Sequence, residues 1–210
     1  MIIKQFNSTK SFSCNVYVCS KNNINFIIDP GFFSEKMKAY IDSIGGLDFI
    51  LLTHGHFDHF LGVDELINIY PNCKVYIHEE EIDLLFDSKK NGTKMFLNQN
   101  YRPSFEINSI QSGTLNIDGI YLEVIYNPGH TIGSCSFYFK DDNVMFVGDF
   151  IFSNSIGRCD LPTGSVKQMN QSLESFKLKE FDLDLIIYPG HDNFVKLKKI
   201  LLINPYLNNF

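Results

Sequence analysis

The sequence predicts an α/β protein in which mixed sheets are covered by helices, and three observations carry that expectation. Short apolar runs of strand length recur along the chain, as at residues 49–52 and 185–188. Segments with helix caps or stops lie between them in both halves. The 210 residues are 44% hydrophobic, and 20 Phe with 10 Tyr supply bulky core material without any Trp. Such a content excludes a chain disordered throughout, and the length suits one domain over residues 1–210.

In chain order, residues 15–19 and 25–29 read as strands joined by the polar turn Lys21-Asn22-Asn23. Pro30-Gly31 stops the second strand. Ser34 is suited to cap a helix that runs to about Ser43 and ends at Gly45-Gly46. The wholly apolar run at 49–52 reads as a buried strand leading into Thr53 and a histidine-rich segment. A helix over 63–69, a strand over 74–77 and a helix over 79–86 follow, with His78 expected at the surface or at the helix start. Residues 87–104 are polar and asparagine-rich, which predicts a surface loop or an ill-defined helix. Beyond Phe105 the pattern turns to strands, at 121–126, 136–139 and 143–147, with Lys140-Asp141-Asp142 as a hairpin turn. A helix over 166–176, a buried strand over 185–188 and a terminal helix over 194–203 complete the chain, and no repeat or linker divides it.

The net charge is −6, so no basic surplus exists to neutralise a phosphate backbone, and nucleic acid is excluded as a general partner. The apolar runs are too short to cross a bilayer, and the N-terminus lacks the apolar stretch of a signal peptide. A soluble, cytoplasmic protein that does not act at a membrane is the expectation. The five cysteines are irregularly spaced with no Cys-x-x-Cys pair, which predicts reduced, mostly buried thiols rather than a disulfide framework or a zinc ribbon.

Five of the six histidines fall at strand ends or beside glycine. The densest group is His54-Gly55-His56-Phe57-Asp58-His59, three imidazoles and a carboxylate in six residues. On an extended segment His54 and His56 point the same way, while Asp58 and His59 face a second point nearby. Taken alone, that group could be a polar loop with Asp58 capping the next helix. Three further strands, however, each deliver one such residue to their C-terminal ends. These are Pro128-Gly129-His130-Thr131, Gly148-Asp149 and Pro189-Gly190-His191-Asp192. Strand ends converging on one rim would gather imidazole nitrogens and carboxylate oxygens, a set that suits a divalent transition metal. Histidine and carboxylate without cysteine is the donor pattern of a catalytic rather than a structural site.

In order and interval these motifs resemble the metallo-β-lactamase superfamily of αββα hydrolases, across almost the whole chain. Finer details resemble its short, single-domain glyoxalase II branch: Gly129 to Ser134, Gly148 to Phe152, Ser155-Ile156-Gly157-Arg158-Cys159-Asp160-Leu161-Pro162, and the closing Asn204-Pro205-Tyr206-Leu207. The resemblance implies a four-layer αββα sandwich with two metal ions at one edge. It implies His54, His56 and His130 for the first ion, and Asp58, His59 and His191 for the second. Asp149 bridges them, and Asp58 and Asp149 are the carboxylates taken as catalytic. Zinc is the expected metal, with iron and manganese as alternatives. Arg158 is the expected substrate-binding residue, against a plain ion pair with Asp160. Thr53 and Asp29 are expected to orient a ligand, or in the case of Asp29 to cap a turn. Cys135 and Cys159 are expected to be packing residues.

Two divalent ions acidify a shared water from a pKa of about 15.7 toward neutrality and stabilise an oxyanion, which favours attack of hydroxide on an acyl carbonyl. A thiol, of pKa about 8.5, then leaves as thiolate with no obligatory proton donor. The expected reaction is hydrolysis of a small-molecule thioester such as S-lactoylglutathione to a hydroxy acid and a thiol, by a monomer or weak homo-oligomer. A full-length glyoxalase II has a helical extension that contributes much of its glutathione site. Only a short segment follows His191 here, with Lys196, Lys198 and Lys199 as its cations. The rival readings are a mononuclear iron persulfide dioxygenase, similar in the Gly157-Arg158-Cys159-Asp160 stretch, and a non-catalytic metal-binding scaffold. A β-lactamase is disfavoured by Asp149, which stands where many of those enzymes carry cysteine.

Overall fold

A computed structural model describes residues 1–8 and 14–208. The elements run β1 (Ile2–Phe6), β2 (Val16–Lys21), β3 (Ile24–Ile28), α1 (Glu35–Ser43), β4 (Phe49–Leu52), α2 (Phe57–Phe60), α3 (Val63–Ile69), β5 (Lys74–His78), α4 (Ile82–Leu85), α5 (Thr93–Leu97), β6 (Asn108–Ile110) and β7 (Gly113–Ile117). They continue with β8 (Ile120–Tyr126), β9 (Cys135–Phe139), β10 (Val144–Gly148), α6 (Val166–Leu178), β11 (Ile186–Pro189), β12 (Val195–Lys196) and α7 (Leu197–Ile203). Two six-stranded sheets form, ordered β1 to β6 and β12 to β7.

The layers follow from the two-residue period of the strands, which sends alternate side chains to opposite faces. Tyr17, Cys19, Phe26, Ile28, Phe49 and Leu51 meet Val124, Phe137, Phe139, Val144 and Phe146 between the sheets. There Phe26 stacks on Phe49 at 4.8 Å between ring centres. The alternate residues Val16, Val18, Ile27, Ile50, Leu52 and Ile77 pack outward against Met37 and Ile41 of α1 and Val63 and Leu66 of α3. On the other sheet Met145, Val147 and Ile187 pack outward against Met169, Leu173 and Phe176 of α6 and Ile200 of α7. The order helix, sheet, sheet, helix is the expected αββα sandwich.

Strand direction creates the functional edge. Strands β3, β4 and β5 are mutually parallel. In the second sheet β8 and β10 both run antiparallel to β9 and hence in the same direction, and β11 is parallel to β10. The C-terminal ends of β4, β8, β10 and β11 therefore all lead to the loops that carry the histidine and aspartate motifs.

Several element boundaries differ from the sequence reading. The Lys21-Asn22-Asn23 turn is confirmed, and Asn22 and Asn23 both take positive φ (54° and 64°), the backbone that a tight hairpin needs. The helix expected over 79–86 divides into a 3-10 turn at Glu79–Glu81 and the single turn α4. The terminal helix starts at Leu197, because Val195 and Lys196 first pair with β11. Lys140–Asp142 forms a 3-10 turn closed by left-handed Asn143 rather than a minimal hairpin. Within the expected loop at 87–104, Thr93–Leu97 is helical, and Asn91 and Thr93 are buried. Among the described residues the cysteines are free thiols, all buried except the half-buried Cys159. No described helix is long and apolar enough to cross a membrane.

Candidate metal centre

The seven motif residues come together at the shared edge. His54, His56 and His130 form the first group and Asp58, His59 and His191 the second, with possible ligand atoms within 4.8 Å of one another in each, and His54, His59 and Asp149 form a third that links them. Asp149 lies between the first two. Its Oδ1 faces His59 Nε2 at 3.4 Å, while Oδ2 faces His130 Nε2 at 3.5 Å and His191 Nε2 at 3.5 Å. Asp58 Oδ2 is 3.4 Å from His191 Nε2. His54, His56, His59 and His130 are buried, and the half-exposed His191 lies nearer solvent.

Backbone geometry aims these side chains. Gly148 ends β10 with φ +51°, and a Cβ there would stand 2.3 Å from Thr53 Oγ1. Only glycine combines that backbone with that approach, which turns Asp149 toward the histidines. Asp29, in the left-handed region at φ 51°, leaves β3 pointing at the same cluster. Its carboxylate accepts from Thr53 N–H (2.7 Å) and Thr53 Oγ1–H (2.6 Å), and lies 3.0 Å from His59 Nδ1. The turn-cap alternative for Asp29 gives way to a partner role toward His59.

These bonds fix the tautomers. A carboxylate accepts only from a protonated nitrogen, so His59 Nδ1 carries hydrogen and Nε2 faces Asp149. Thr53 spends its hydroxyl proton on Asp29 and so accepts from His54 Nδ1 at 3.1 Å, freeing His54 Nε2. His130 Nδ1 donates to the Arg158 carbonyl at 2.7 Å, which leaves His130 Nε2 unprotonated to accept from His56 Nδ1 at 2.9 Å. His54 Nε2, His56 Nε2, His59 Nε2 and Asp149 Oδ1 are buried without hydrogen-bond geometry to any described residue, as are Asn25 Oδ1 and Asn127 Oδ1 outside the cluster. Buried polar atoms are ordinarily paired, so the gathering of four such atoms on candidate ligands fits bound cations.

Charge separates the histidines. Burial, reinforced by neighbouring imidazoles, holds His54 well below its ordinary pKa and brings His56 down to about 3. Burial also opposes charge on His191, but Asp149 and Asp58 overcome it and raise its pKa to about 10. For His59 burial is likewise opposed by the carboxylates of Asp149, Asp29 and Asp58, and its pKa is raised. In metal-free protein at pH 7, His191 is therefore protonated, and a cation must displace that proton. Calorimetric metal titration in buffers of differing ionisation enthalpy should show release of at least about one proton per pair of ions. Release of none would contradict this charge pattern.

The same shifts set the stability of metal-free protein. His56 binds a proton more readily when unfolded, so its contribution is complete above pH 6.5 and is lost as pH falls toward about 3. His191 binds more readily when folded, so its contribution is complete below pH 6.5 and is lost as pH rises through about 10. Denaturant midpoints of chelator-treated protein should peak near pH 6.5 and fall on both sides.

Several supporting residues lie outside the ligand motifs. Asn15 Nδ2 donates to the carbonyls of Pro189 (3.1 Å) and Asp192 (2.7 Å), and Tyr17 O–H donates to Pro189 (2.6 Å), so both hold the loop of His191. Asn204 Nδ2 donates to the carbonyls of Phe152 (3.0 Å) and Ser155 (2.9 Å). Glu81 is buried, and burial pushes its carboxyl up to about 7 against hydrogen bonds from Thr131, Gly55 and Gly133. None carried a sequence signal beyond being polar, although Asn204 opens the closing motif. His78 starts the 3-10 turn as expected but is buried, stacked on Tyr126 at 4.8 Å. Cys135 and Cys159 belong to neither ligand group.

A cavity of about 370 Å³ opens onto the cluster, and Phe57, Phe96, Phe152 and Leu161 form much of its wall. Arg158 also lines it, while its guanidinium binds Asp160 in two parallel bonds of 2.7 and 2.8 Å. Lys196 and Lys198 both pair with Asp184.

A two-sheet sandwich with a histidine–aspartate cluster at one edge defines a metallo-hydrolase class, and the comparisons agree. The family model described as the metallo-beta-lactamase superfamily matches residues 10–191, and the chain belongs to that superfamily. Probable metallo-hydrolase YqgX of Bacillus subtilis is 33% identical over 198 residues, 93% of each chain. Hydroxyacylglutathione hydrolase GloC of Haemophilus influenzae is 31% identical over 187 residues, 87% of each. Among solved structures, BLEG-1 B3 metallo-beta-lactamase superposes with a TM-score of 0.90 at 28% identity, covering 99% of this chain and 100% of that one. TTHA1623 in a di-iron-bound form gives a TM-score of 0.84 at 26% identity, with the same coverage.

Proposed function

We propose that this chain is a binuclear metal-dependent thioester hydrolase, cleaving a substrate such as S-lactoylglutathione to a hydroxy acid and a thiol. The observation that carries it is Asp149, one carboxylate facing His59 on one oxygen and His130 and His191 on the other. In this reading His54, His56 and His130 would hold one ion and Asp58, His59 and His191 the other, with Asp149 placed between the two groups. Two such ions supply Lewis-acid polarisation of a carbonyl and acidification of water. Zinc suits the donors, and TTHA1623 in its di-iron-bound form keeps iron in view beside manganese.

The chain's own residues do the rest. Asp29 and Thr53 hold His54 and His59 in the tautomers that offer Nε2. Phe57, Phe96, Phe152 and Leu161 wall the cavity against water around an acyl group. Outside the ligand set, the ionisable side chains lining it among the described residues are Arg158 and Asp192. A thiolate needs no proton donor on departure, whereas an amide nitrogen does. The name of GloC, a hydroxyacylglutathione hydrolase, supports the same chemistry. The proposal puts the enzyme in the cytoplasm, where thiols stay reduced, as a monomer or weak homo-oligomer acting on a small molecule, with neither nucleic acid nor membrane as partner.

Metal analysis of protein purified without added metal, followed by an S-lactoylglutathione assay, tests the proposal. About two equivalents with steady turnover support it. One iron equivalent with oxygen uptake on glutathione persulfide would replace it with the dioxygenase. The likeness to BLEG-1 favours one second reading, β-lactam hydrolysis. Turnover of a chromogenic cephalosporin faster than of the thioester would select it.

Arg158 stands at the cavity with its guanidinium turned to Asp160, placed to meet a substrate carboxylate by exchanging that exposed pair. Arg158→Ala is expected to raise KM about tenfold and leave kcat within about twofold, the pattern of lost uniform binding. A lowered kcat at unchanged KM would remove Arg158 from substrate binding.

A further inference from the structure

Glu81 is fully buried yet belongs to none of the metal-binding motifs. Its position follows from topology. β4 and β5 pair in parallel, with Leu52 beside Ile77, so the segments leaving their C-terminal ends emerge side by side. One carries His54 and His56, and the other carries Glu81. Glu81 Oε2 accepts from Gly55 N–H at 2.7 Å, and Oε1 accepts from Gly133 N–H at 2.5 Å. Gly55 separates His54 from His56, and Gly133 lies in the loop that follows His130. A single carboxylate thus ties together the two loops that carry the first ligand group.

The glycines are explained by the same approach. Neither Gly55 nor Gly133 has positive φ, so backbone freedom is not the reason for them. A Cβ on Gly55 would stand 3.2 Å from Glu81 Oε2 and 2.8 Å from Leu84 Cδ2. A Cβ on Gly133 would stand 2.7 Å from Glu81 N and 2.8 Å from Glu81 Cγ. Burying a carboxylate is costly, and the two amides from separate segments offset that cost. Glutamine could substitute only in part, because it offers one acceptor and would turn its amino group toward the other amide.

We propose that Glu81 is a positioning residue that sets the spacing of His54, His56 and His130, and through it the affinity of the first ion, without touching that ion. The inference rests on the binuclear reading above. Two backgrounds separate the ion sites: His191→Ala breaks the second group and isolates the first, and His56→Ala does the reverse. Each is stripped with chelator and titrated with Co²⁺, read by visible absorption, with and without Glu81→Ala. In the His191→Ala background Glu81→Ala should weaken Co²⁺ binding about 10- to 100-fold and alter the d–d bands. Glu81→Gln, which keeps one of the two bonds, should fall between. In the His56→Ala background the second site should be unchanged.

Equal weakening in both backgrounds, or none in either, overturns the proposal. In the unmutated protein the Gly55 and Gly133 amides should be protected from hydrogen exchange, and free exchange overturns it without any variant. Failure of both parent backgrounds and the unmutated protein to bind Co²⁺ would overturn the metal-centre reading, and this proposal with it. Binding by the parents with no effect of Glu81 overturns this proposal alone.

Discussion

Replacing Asp149 with alanine is expected to remove both metal ions and thioester hydrolysis together. Loss of an outer partner of a metal ligand typically costs about 10- to 100-fold in metal affinity or activity. Asp149 faces the cluster directly and from both sides, so activity should fall by at least about 100-fold. Asp149→Asn tests charge against shape. It keeps the volume but offers one acceptor, so it can serve one group of ligands and not both. Metal analysis should find the alanine variant depleted of both ions and the asparagine variant holding at most one. Two retained equivalents with turnover within tenfold of the parent would sink the bridging role.

Gly190→Ala should damage the same centre without altering any ligand. A Cβ there would stand 2.3 Å from Asp149 Oδ1 and 2.6 Å from His59 Cε1. The backbone cannot retreat easily. Gly190 N–H donates to the Gly148 carbonyl at 2.8 Å, and the Gly190 carbonyl accepts from Asn15 N–H at 2.6 Å. The Asp149 carboxylate must therefore rotate away from His59, which should reduce activity about 100-fold. The added methyl should also destabilise the fold by about 1–3 kcal/mol, as overpacking does. Metal content and a melting curve measured on the same preparation would separate the two effects. A folded variant with full metal and normal turnover would show that the carboxylate has other room.

The ligand residues were legible in the sequence because short apolar strands mark where a sheet ends, and each motif follows directly on such a strand. His54, His130, Asp149 and His191 needed only that local reading to be placed on a common edge. Their supports were less legible, for a physical reason. Asn15 reaches Pro189, Asn204 reaches Phe152 and Glu81 reaches Gly133, and each bond forms only after distant parts of the chain have packed. A lone polar residue in a strand or short helix carries no periodic signal of such a partner. Strand β1 was missed for a related reason. It is an edge strand in which only Phe6 is buried, so its apolar pattern is weak, and its pairing is set by β2. Strand β7 is similar, with Ile117 its one buried residue.

The two sheets contribute unequally and separately to the metal centre. His54, His56, Asp58 and His59 follow β4 of one sheet, and His130, Asp149 and His191 follow strands of the other. Each ligand group draws on both sheets, so each ion would cross-link halves of the chain that are synthesised one after the other. Neither site can be complete until the second half has docked on the first, and metal capture becomes a late event that rewards correct assembly. Chelation would then loosen the seam between the sheets before it loosens either sheet, so the first protection lost should be at that seam, around Asp29, Thr53 and Gly190.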